Sequence, residues 1–206
     1  MNEYRDLLLF IRILHDPMPT PPRPIRNEEL FKTQFKCFLD GRIRRSFRAC
    51  FPVLVEQNLL GNRAVISFDK GTLAKIIDKF VPDTAYFEPD LPETSRPNRA
   101  PGELKPSWKW SLELQHGNIK QRTEFLKVLA QVNHYMVQNQ TRYGFVLTDA
   151  ALVAIRRVND LAEVDDAHLQ LSKPIPWTAY GNEKEPQLTV LLGLWYLGML
   201  ASSNDN

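Results

Sequence analysis

Cysteine and histidine are scarce in this chain. Two cysteines, Cys37 and Cys50, and four histidines without metal-ligand spacing occur among 206 residues. This content does not suggest a disulfide framework and favours two buried thiols in a reducing compartment. The sequence also has no GxSxG motif, no glycine-rich phosphate loop and no CxxC pair. The signatures of α/β-hydrolases, P-loop NTPases and dithiol sites are therefore absent.

Excess charge and long apolar runs are missing as well. The formal net charge is +2, so any basic surface must be local. The start, MNEYRDLLLFIRILHDP, is interrupted by charges and predicts a first helix rather than a signal peptide. The stretch QLTVLLGLWYLGMLA is shorter than the roughly 18 residues that span a bilayer and predicts a buried helix. We therefore expect a soluble, cytoplasmic protein with no membrane partner.

A hydrophobic content of 43% over 206 residues is enough for one compact domain covering residues 1–206. A proline-rich connector at 16–26 and an acidic proline-rich loop at 88–102 interrupt it. The sequence predicts a helix after an Asn27 cap, broken near Gly41. It also predicts a helix over 118–140 and a closing apolar helix. Strands are predicted in NRAVISFD, VPDTAYF, GELKPSWKW and HLQLSKPIPW, with RYGFVLTD and ALVAIRRV forming a hairpin. The fold class is an α/β or α+β sandwich with a mixed sheet flanked by helices.

Two neighbouring strand candidates carry acidic residues. Asp83 stands in VPD, and Glu103 and Lys105 form an ExK motif. Positions i and i+2 of a strand point to the same face, so Glu103 and Lys105 would lie side by side. They are either an ordinary surface ion pair or part of a site. In a site, Asp83 and Glu103 could converge on Mg²⁺, which prefers oxygen ligands, with Lys105 offsetting transition-state charge.

The PD and ExK motifs resemble those of the PD-(D/E)XK nuclease superfamily. The helix that follows carries Gln131 and Tyr135 at the QxxxY spacing of one branch of that superfamily. The resemblance implies a PD-(D/E)XK-like mixed sheet and a polar site made of Asp83, Glu103, Lys105, Gln131 and Tyr135. Glu28 or Glu29 could supply the acid of the first helix, although helix-dipole capping is the reading we favour for both.

A looser resemblance links residues 27–201 to small fungal proteins of this superfamily found in biosynthetic gene clusters. The stretches ELKPSWKW, YGFVLTDAALVAIRR, PIPW and LGLWYLGMLA carry it. Among small fungal cluster proteins are arginine-containing cyclodipeptide synthases, which join two aminoacyl groups from tRNA into a diketopiperazine. This resemblance implies aminoacyl-tRNA as the partner, no cofactor and no obligate protein partner. Lys105, Gln131 and Tyr135 would donate to the oxyanion, while Glu103 or Asp83 would accept a proton.

Other residues are candidates for substrate contacts. Arg42, Arg45 and Arg48 share one helix face, which is either a solvated surface or, together with Lys109, a phosphate-binding one. The loop acids Glu88, Asp90 and Glu93 could bind an arginine guanidinium. Trp108, Trp110 and Trp177 could wall a pocket, unless they pack in the core.

We therefore expect an aminoacyl-tRNA-dependent cyclodipeptide synthase that needs no metal. The alternative is a nuclease that holds Mg²⁺ between Asp83 and Glu103. A catalytically inactive nucleic-acid-binding relative is the third possibility.

Overall fold

The computed structural model describes Leu7 and residues 24–158, 168–181, 185 and 187–205. The predicted first helix, apart from Leu7, and most of the connector at 16–26 lie outside the described residues.

A long helical rod opens the described chain. It consists of helix α1 (Glu28–Phe35), a π-helical segment (Lys36–Asp40) and helix α2 (Gly41–Glu56). The Asn27 side chain accepts a hydrogen bond of 2.8 Å from the Leu30 N–H, which confirms the predicted cap. The predicted break at Gly41 is wrong, because Gly41 has a helical φ of −61°. The irregularity is instead the π-helical segment that precedes it.

Within the described residues, seven strands form one mixed sheet in the order β1-β2-β3-β4-β5-β6, with β7 also pairing with β5. The β3–β4 pair is parallel and the other pairs are antiparallel. The antiparallel β4–β5 pair confirms the predicted hairpin. The strands are β1 (Ser67–Lys70), β2 (Thr84–Phe87), β3 (Gly102–Leu104), β4 (Tyr143–Leu147), β5 (Ala151–Arg157), β6 (Leu169–Leu171) and β7 (Ile175–Pro176).

Two further helices complete the described fold. Helix α3 (Ile119–Gln138) connects the parallel strands β3 and β4 and begins with a capping box between Asn118 and Gln121. Helix α4 (Val190–Ser202) is apolar around most of its circumference, as its sequence predicts. Within the described part of the chain, no helix combines the length and apolarity needed to cross a membrane.

The sheet separates two apolar clusters, because successive side chains of a strand point to opposite faces. Phe145 and Leu147 pack with residues of α1, α2 and α4, whereas Val146 between them packs with residues of α3 such as Val132. The helices therefore lie on both faces of the sheet. The mixed α/β class predicted from the sequence is confirmed.

Helix α4 packs closely against α2 at Gly198. A Cβ atom at this position would lie 2.3 Å from Cζ of Phe47 and 2.7 Å from Cε1 of Tyr86, two fully buried rings. We expect Gly198→Ala to lower the free energy of unfolding by about 1 to 3 kcal/mol in urea denaturation, since overpacking outweighs the better helix propensity of alanine.

Gly41→Ala is the matched control. A Cβ atom at Gly41 would meet nothing within 4 Å, so this variant should gain about 0.5 to 1 kcal/mol from helix propensity. Equal effects of the two substitutions would contradict the tight packing of α4 on α2.

Candidate functional site

The candidate site lies where β2 begins and β3 ends. Thr84 pairs with Gly102 in the antiparallel β2–β3 ladder, so Asp83, just before β2, is next to the end of β3. The Asp83 carboxylate accepts a hydrogen bond of 2.9 Å from the Leu104 N–H through Oδ2. This contact holds the PD motif against the ExK motif.

Glu103 points away from the α1 and α2 layer. It pairs with Val146, which faces α3, and its side chain is only 2% exposed. Its Oε1 accepts a hydrogen bond of 3.0 Å from Nε2 of Gln131. Its Oε2 lies 3.2 Å from Nζ of Lys105. Both carboxylate oxygens of this buried acid are therefore paired.

Gln131 and Tyr135 lie one turn apart on α3 and contact each other. Gln131 Nε2 donates to Tyr135 Oη at 2.8 Å as well as to Glu103, so both of its amide hydrogens are used. The predicted role of Gln131 as an oxyanion donor is therefore wrong. Its Oε1 has no hydrogen-bond partner among the described residues and is a free acceptor.

Helix α1 adds an acid and a lysine to these residues. Glu28 Oε1 lies 3.0 Å from Nζ of Lys32 and 3.2 Å from Nζ of Lys105. Glu28 Oε2 lies 2.9 Å from Nζ of Lys109. Lys32 Nζ also lies 2.6 Å from Oδ1 of Asp83. Glu28 thus does more than cap the helix dipole, and Lys32 is a site residue that the sequence analysis missed.

These contacts form a continuous row of alternating charges, Asp83–Lys32–Glu28–Lys105–Glu103, which we call the charge row. Glu28 and Lys32 belong to α1, and Asp83 lies in the turn before β2. Glu103 belongs to β3, and Lys105 follows the end of that strand. Lys109 is attached to the row at Glu28. The sequence signal that could have revealed Lys32 is its i,i+4 spacing from Glu28, which places both on one helix face.

The charge row shifts the pKa values of its acids in opposite directions. Partial burial would raise the pKa of Glu28, but contacts with Lys109, Lys32 and Lys105 outweigh it and hold this pKa at about 2. Burial, reinforced by the Asp83 carboxylate, raises the pKa of Glu103 to about 7 against the opposing effect of Lys105. Glu28 is therefore ionised at neutral pH, whereas Glu103 can take up or release a proton there.

The basic and phenolic groups also titrate away from their usual range. Burial would lower the pKa of Lys105, but Glu103 and Glu28 raise it above its ordinary value. The pKa of Lys32 is raised in the same way, with Asp83 and Glu28 outweighing burial. Burial raises the pKa of Tyr135 as well. Both lysines are therefore cations at neutral pH.

The carboxylates of the row do not fit a divalent metal ion. Both oxygens of Asp83 and both oxygens of Glu103 are engaged by N–H donors. Within the described ranges, no three acidic, histidine or cysteine side chains are arranged to hold a metal. The Mg²⁺ site expected between Asp83 and Glu103 in the nuclease alternative would require these donors to leave.

A cavity of about 680 Å³ opens beside the charge row. Glu28, Lys105, Lys109 and Gln131 line it, whereas Glu103 lies behind Lys105 and Gln131. Farther out, the cavity is lined by the exposed side chains of Trp108, Lys120 and Lys127. Among the charged groups of the lining, four lysines therefore outnumber two acids, Glu28 and Glu124.

The segment that carries Lys105, Trp108 and Lys109 is anchored to the end of β4. Asp149 accepts a hydrogen bond of 2.5 Å from the Ser107 N–H and one of 3.1 Å from the Ser107 hydroxyl. This anchor fixes the wall of the cavity relative to the sheet.

The loop acids proposed as an arginine site lie elsewhere. They follow Phe87 at the far end of β2, roughly 13 Å of strand from Asp83. Glu88 pairs with Arg99 at 2.7 Å and Glu93 with Arg96 at 3.0 Å, and Asp90 is exposed on the same loop. The prediction that the loop acids bind an arginine substrate is wrong for Glu88 and Glu93, because arginines of their own loop already occupy these two carboxylates.

Only one of the proposed pocket tryptophans lines the cavity. Trp108 does so and is 53% exposed. Trp110 is a core residue that stacks on Phe125 with ring centroids 5.7 Å apart. Trp177 lines a different groove beside Phe31 and donates from Nε1 to the Thr148 carbonyl at 2.7 Å. The predicted pocket role is therefore wrong for Trp110, which packs in the core, whereas Trp177 lines a groove other than the cavity beside the charge row.

The arginine face on α2 is also remote from the cavity. Arg42 lies fourteen residues after Glu28 along the helical rod, which corresponds to roughly 20 Å of axial distance, and Arg45 and Arg48 lie farther on. Lys109, by contrast, lines the cavity. Of the predicted phosphate contacts, only Lys109 borders the charge row.

The raised pKa of Glu103 makes stability depend on pH. Burial lifts this pKa from 4.5 to about 7 on folding, so the folded protein binds the proton more tightly and loses stability as the pH rises through this window. Glu103→Gln mimics the protonated acid. We expect urea denaturation to show little difference from wild type at pH 5 and a gain of about 1 to 3 kcal/mol at pH 8.

Glu124→Gln serves as the control. Glu124 lies on the surface, where its hydrogen bond to Lys127 lowers its pKa, so it does not change charge between pH 5 and 8. A Glu103→Gln protein that is less stable than wild type at pH 8 would show instead that Glu103 is ionised and stabilising.

Comparisons with known proteins gave no match for this chain. No family model, no curated protein and no solved structure matches it. A function for this chain must therefore be argued from the geometry of the charge row and its cavity.

Proposed function

We propose that this protein is a PD-(D/E)XK-like cyclodipeptide synthase, which joins two aminoacyl groups delivered on tRNA into a diketopiperazine. One observation carries the proposal. Lys105 and Gln131 line the cavity together and offer a spare donor beside a spare acceptor. Lys105 Nζ has three hydrogens but only two carboxylate partners, and Gln131 Oε1 has none in the described part of the chain.

An aminoacyl ester is complementary to this pair. Lys105 can donate a hydrogen bond to the carbonyl oxygen of the ester. The α-ammonium group of the ester can donate hydrogen bonds to Gln131 Oε1 and to the Glu28 carboxylate. The positive charge of Lys105 is already in place to stabilise the oxyanion that forms when the carbonyl is attacked. The cavity wall thus favours an α-amino ester over a simple phosphodiester.

The chemistry of this proposal balances without a metal or redox cofactor. The free amine of one aminoacyl group attacks the ester carbonyl of the other. An amide bond forms, and the ester bond that joined the attacked aminoacyl group to its tRNA breaks. The amine of the resulting dipeptidyl ester then attacks its own ester carbonyl and closes the ring. Each step releases one tRNA 3′-hydroxyl, whose oxygen takes the proton given up by the attacking amine.

Glu103 is the acid best matched to moving that proton. Its pKa is raised to about 7 by burial and Asp83, close to the range in which a general acid–base group is most effective. The Lys105 ammonium first gives a proton to the departing 3′-oxygen, protonated Glu103, 3.2 Å behind it, replaces that proton, and Glu103 regains the proton released by the attacking amine through water. Glu103 therefore acts as a positioning and relay residue, and Lys105 is the catalytic one.

The outer part of the cavity fits the 3′ end of a tRNA. Trp108 is half exposed there, and an exposed aromatic ring is a stacking platform for an unpaired base. Lys109, Lys120 and Lys127 line the same cavity and can neutralise the phosphates that follow. The predicted specificity for arginine has no such support, because Glu88 and Glu93 are paired with arginines of their own loop. It rests on the resemblance alone.

The test is product formation from charged tRNA. We expect the purified protein, supplied with tRNAs charged with each amino acid in turn and in pairs that include arginine, to release a diketopiperazine detectable by mass spectrometry. Lys105→Met should lower the rate by about 10²-fold or more, the effect of losing an oxyanion donor. Lys75→Met, an exposed lysine outside the cavity, should leave the rate unchanged.

A metal-dependent nuclease is the second candidate, because Glu28, Asp83, Glu103 and Lys105 meet in one cluster. Loss of plasmid or RNA integrity that requires Mg²⁺ or Mn²⁺ and disappears in Lys105→Met would favour it. If no diketopiperazine forms from any aminoacyl pair, the synthase proposal fails. If neither activity is present, the inactive nucleic-acid-binding relative becomes the better interpretation.

Trp108 provides a separate prediction about tRNA binding. We expect Trp108→Ala to weaken binding of a fluorescent acceptor-stem RNA by about 5- to 100-fold, because base stacking on an aromatic ring contributes about 1 to 3 kcal/mol. Trp108→Phe keeps an aromatic face and should retain most of the affinity. Equal affinities of wild type and Trp108→Ala in fluorescence anisotropy would remove Trp108 from the binding surface.

A further inference from the structure

We infer that the Lys32 ammonium group is a built-in cation, which joins the carboxylates of Asp83 and Glu28 in the place of a divalent metal ion. This inference concerns how the site is assembled and does not depend on the proposed reaction. It starts from a lysine that neither the motif resemblance nor the proposed chemistry uses.

The geometry around Lys32 is that of a bridging cation. Its Nζ lies 2.6 Å from Oδ1 of Asp83 and 3.0 Å from Oε1 of Glu28. The two acids come from separate elements, the turn before β2 and the first turn of α1. Two carboxylates that face each other need positive charge between them, and Lys32 supplies it.

The contact with Asp83 separates this arrangement from an ordinary surface pair. A Glu28–Lys32 pair at i,i+4 on an exposed helix would contribute little. Here the side chain of Asp83 is only 18% exposed, and its second oxygen accepts the Leu104 N–H. Asp83 therefore cannot turn toward a metal ion without losing a backbone hydrogen bond.

The local charges balance without a metal. When all groups are ionised, the carboxylates of Asp83, Glu28 and Glu103 are matched by three ammonium groups, those of Lys32, Lys105 and Lys109. A divalent ion would add uncompensated positive charge beside Lys32 and Lys105, at distances where repulsion is strong. The cluster has no charge deficit to draw Mg²⁺ in.

The inference predicts that removing Lys32 creates a need for another cation. We expect Lys32→Ser to lower Tm by roughly 5 °C, since it leaves Asp83 and Glu28 facing each other. Millimolar Mg²⁺ or Mn²⁺ should restore much of this loss, and NaCl at the same ionic strength should restore little. The wild-type Tm should respond equally to both kinds of salt.

Three variants serve as controls. Lys36→Ser removes the next lysine along the same helical rod, which is exposed, and should behave as wild type. Lys32→Arg keeps the charge and should keep most of the stability without gaining a response to metal. The double variant Lys32→Ser with Asp83→Asn should lose the rescue by Mn²⁺, because one of the two carboxylates is gone.

Mn²⁺ binding followed by electron paramagnetic resonance gives a readout independent of stability. The wild-type protein should bind no Mn²⁺ and leave the signal of free Mn²⁺ unchanged. The Lys32→Ser protein should bind Mn²⁺ and thereby lower the signal of free Mn²⁺. Binding of Mn²⁺ by wild type that is abolished by Asp83→Asn would overturn the inference, whether or not Lys32→Ser folds. A Lys32→Ser protein that is as stable as wild type and binds no Mn²⁺ would overturn it as well. Diketopiperazine synthesis does not enter either measurement, so the failure of one proposal leaves the other standing.

Discussion

The ammonium group of Lys32, held between Asp83 and Glu28, is the contact on which the arrangement of the site depends. It attaches the first turn of α1 to the turn before β2, and the Asp83–Leu104 hydrogen bond then attaches that turn to the end of β3. Three segments that are distant in sequence are thereby fixed by two short polar contacts. Paired charges that are only partly exposed are screened less by salt than surface pairs, so this junction keeps its strength under cellular conditions.

At the other end of the charge row, Glu103 orients the hydrogen-bond donor Lys105 and the hydrogen-bond acceptor Gln131, which both face the cavity. Glu103 uses one oxygen to orient Lys105 and the other to orient Gln131. Tyr135 takes the second amide hydrogen of Gln131, which turns the amide oxygen away from both partners. A buried acid thus determines which atoms a ligand meets, although it does not line the cavity itself. Such supporting contacts are what keep a site in a productive geometry.

Some residues of this site could be predicted from the sequence, and others could not. Asp83, Glu103 and Lys105 could be grouped because strand alternation and antiparallel pairing are local rules, and Gln131 with Tyr135 because of i,i+4 spacing. The partner of Lys32 depends on how α1 packs on the sheet, which no local rule specifies. The loop acids Glu88 and Glu93 were misplaced for a related reason, since sequence spacing did not reveal that Arg99 and Arg96 would fold back on them. The PD-(D/E)XK-like assignment itself stays a prediction.

The π-helical segment Lys36–Asp40 has a consequence for evolution of the chain by insertion and deletion. A residue in a π-helical turn advances less around the axis than one in an α-helix, so the segment shifts the angular phase between α1 and α2 by roughly a quarter turn. This shift lets Phe31 and Phe47 both reach the apolar layer while Glu28 still faces the lysines. The five π-helical residues turn about as far as four α-helical ones, so loss of one residue there would let the rod return to a regular α-helix with Glu28 still on the same side. A deletion elsewhere between Glu28 and Phe47 would rotate Glu28 by about 100°, which makes this short stretch the place where the rod tolerates a one-residue change in length.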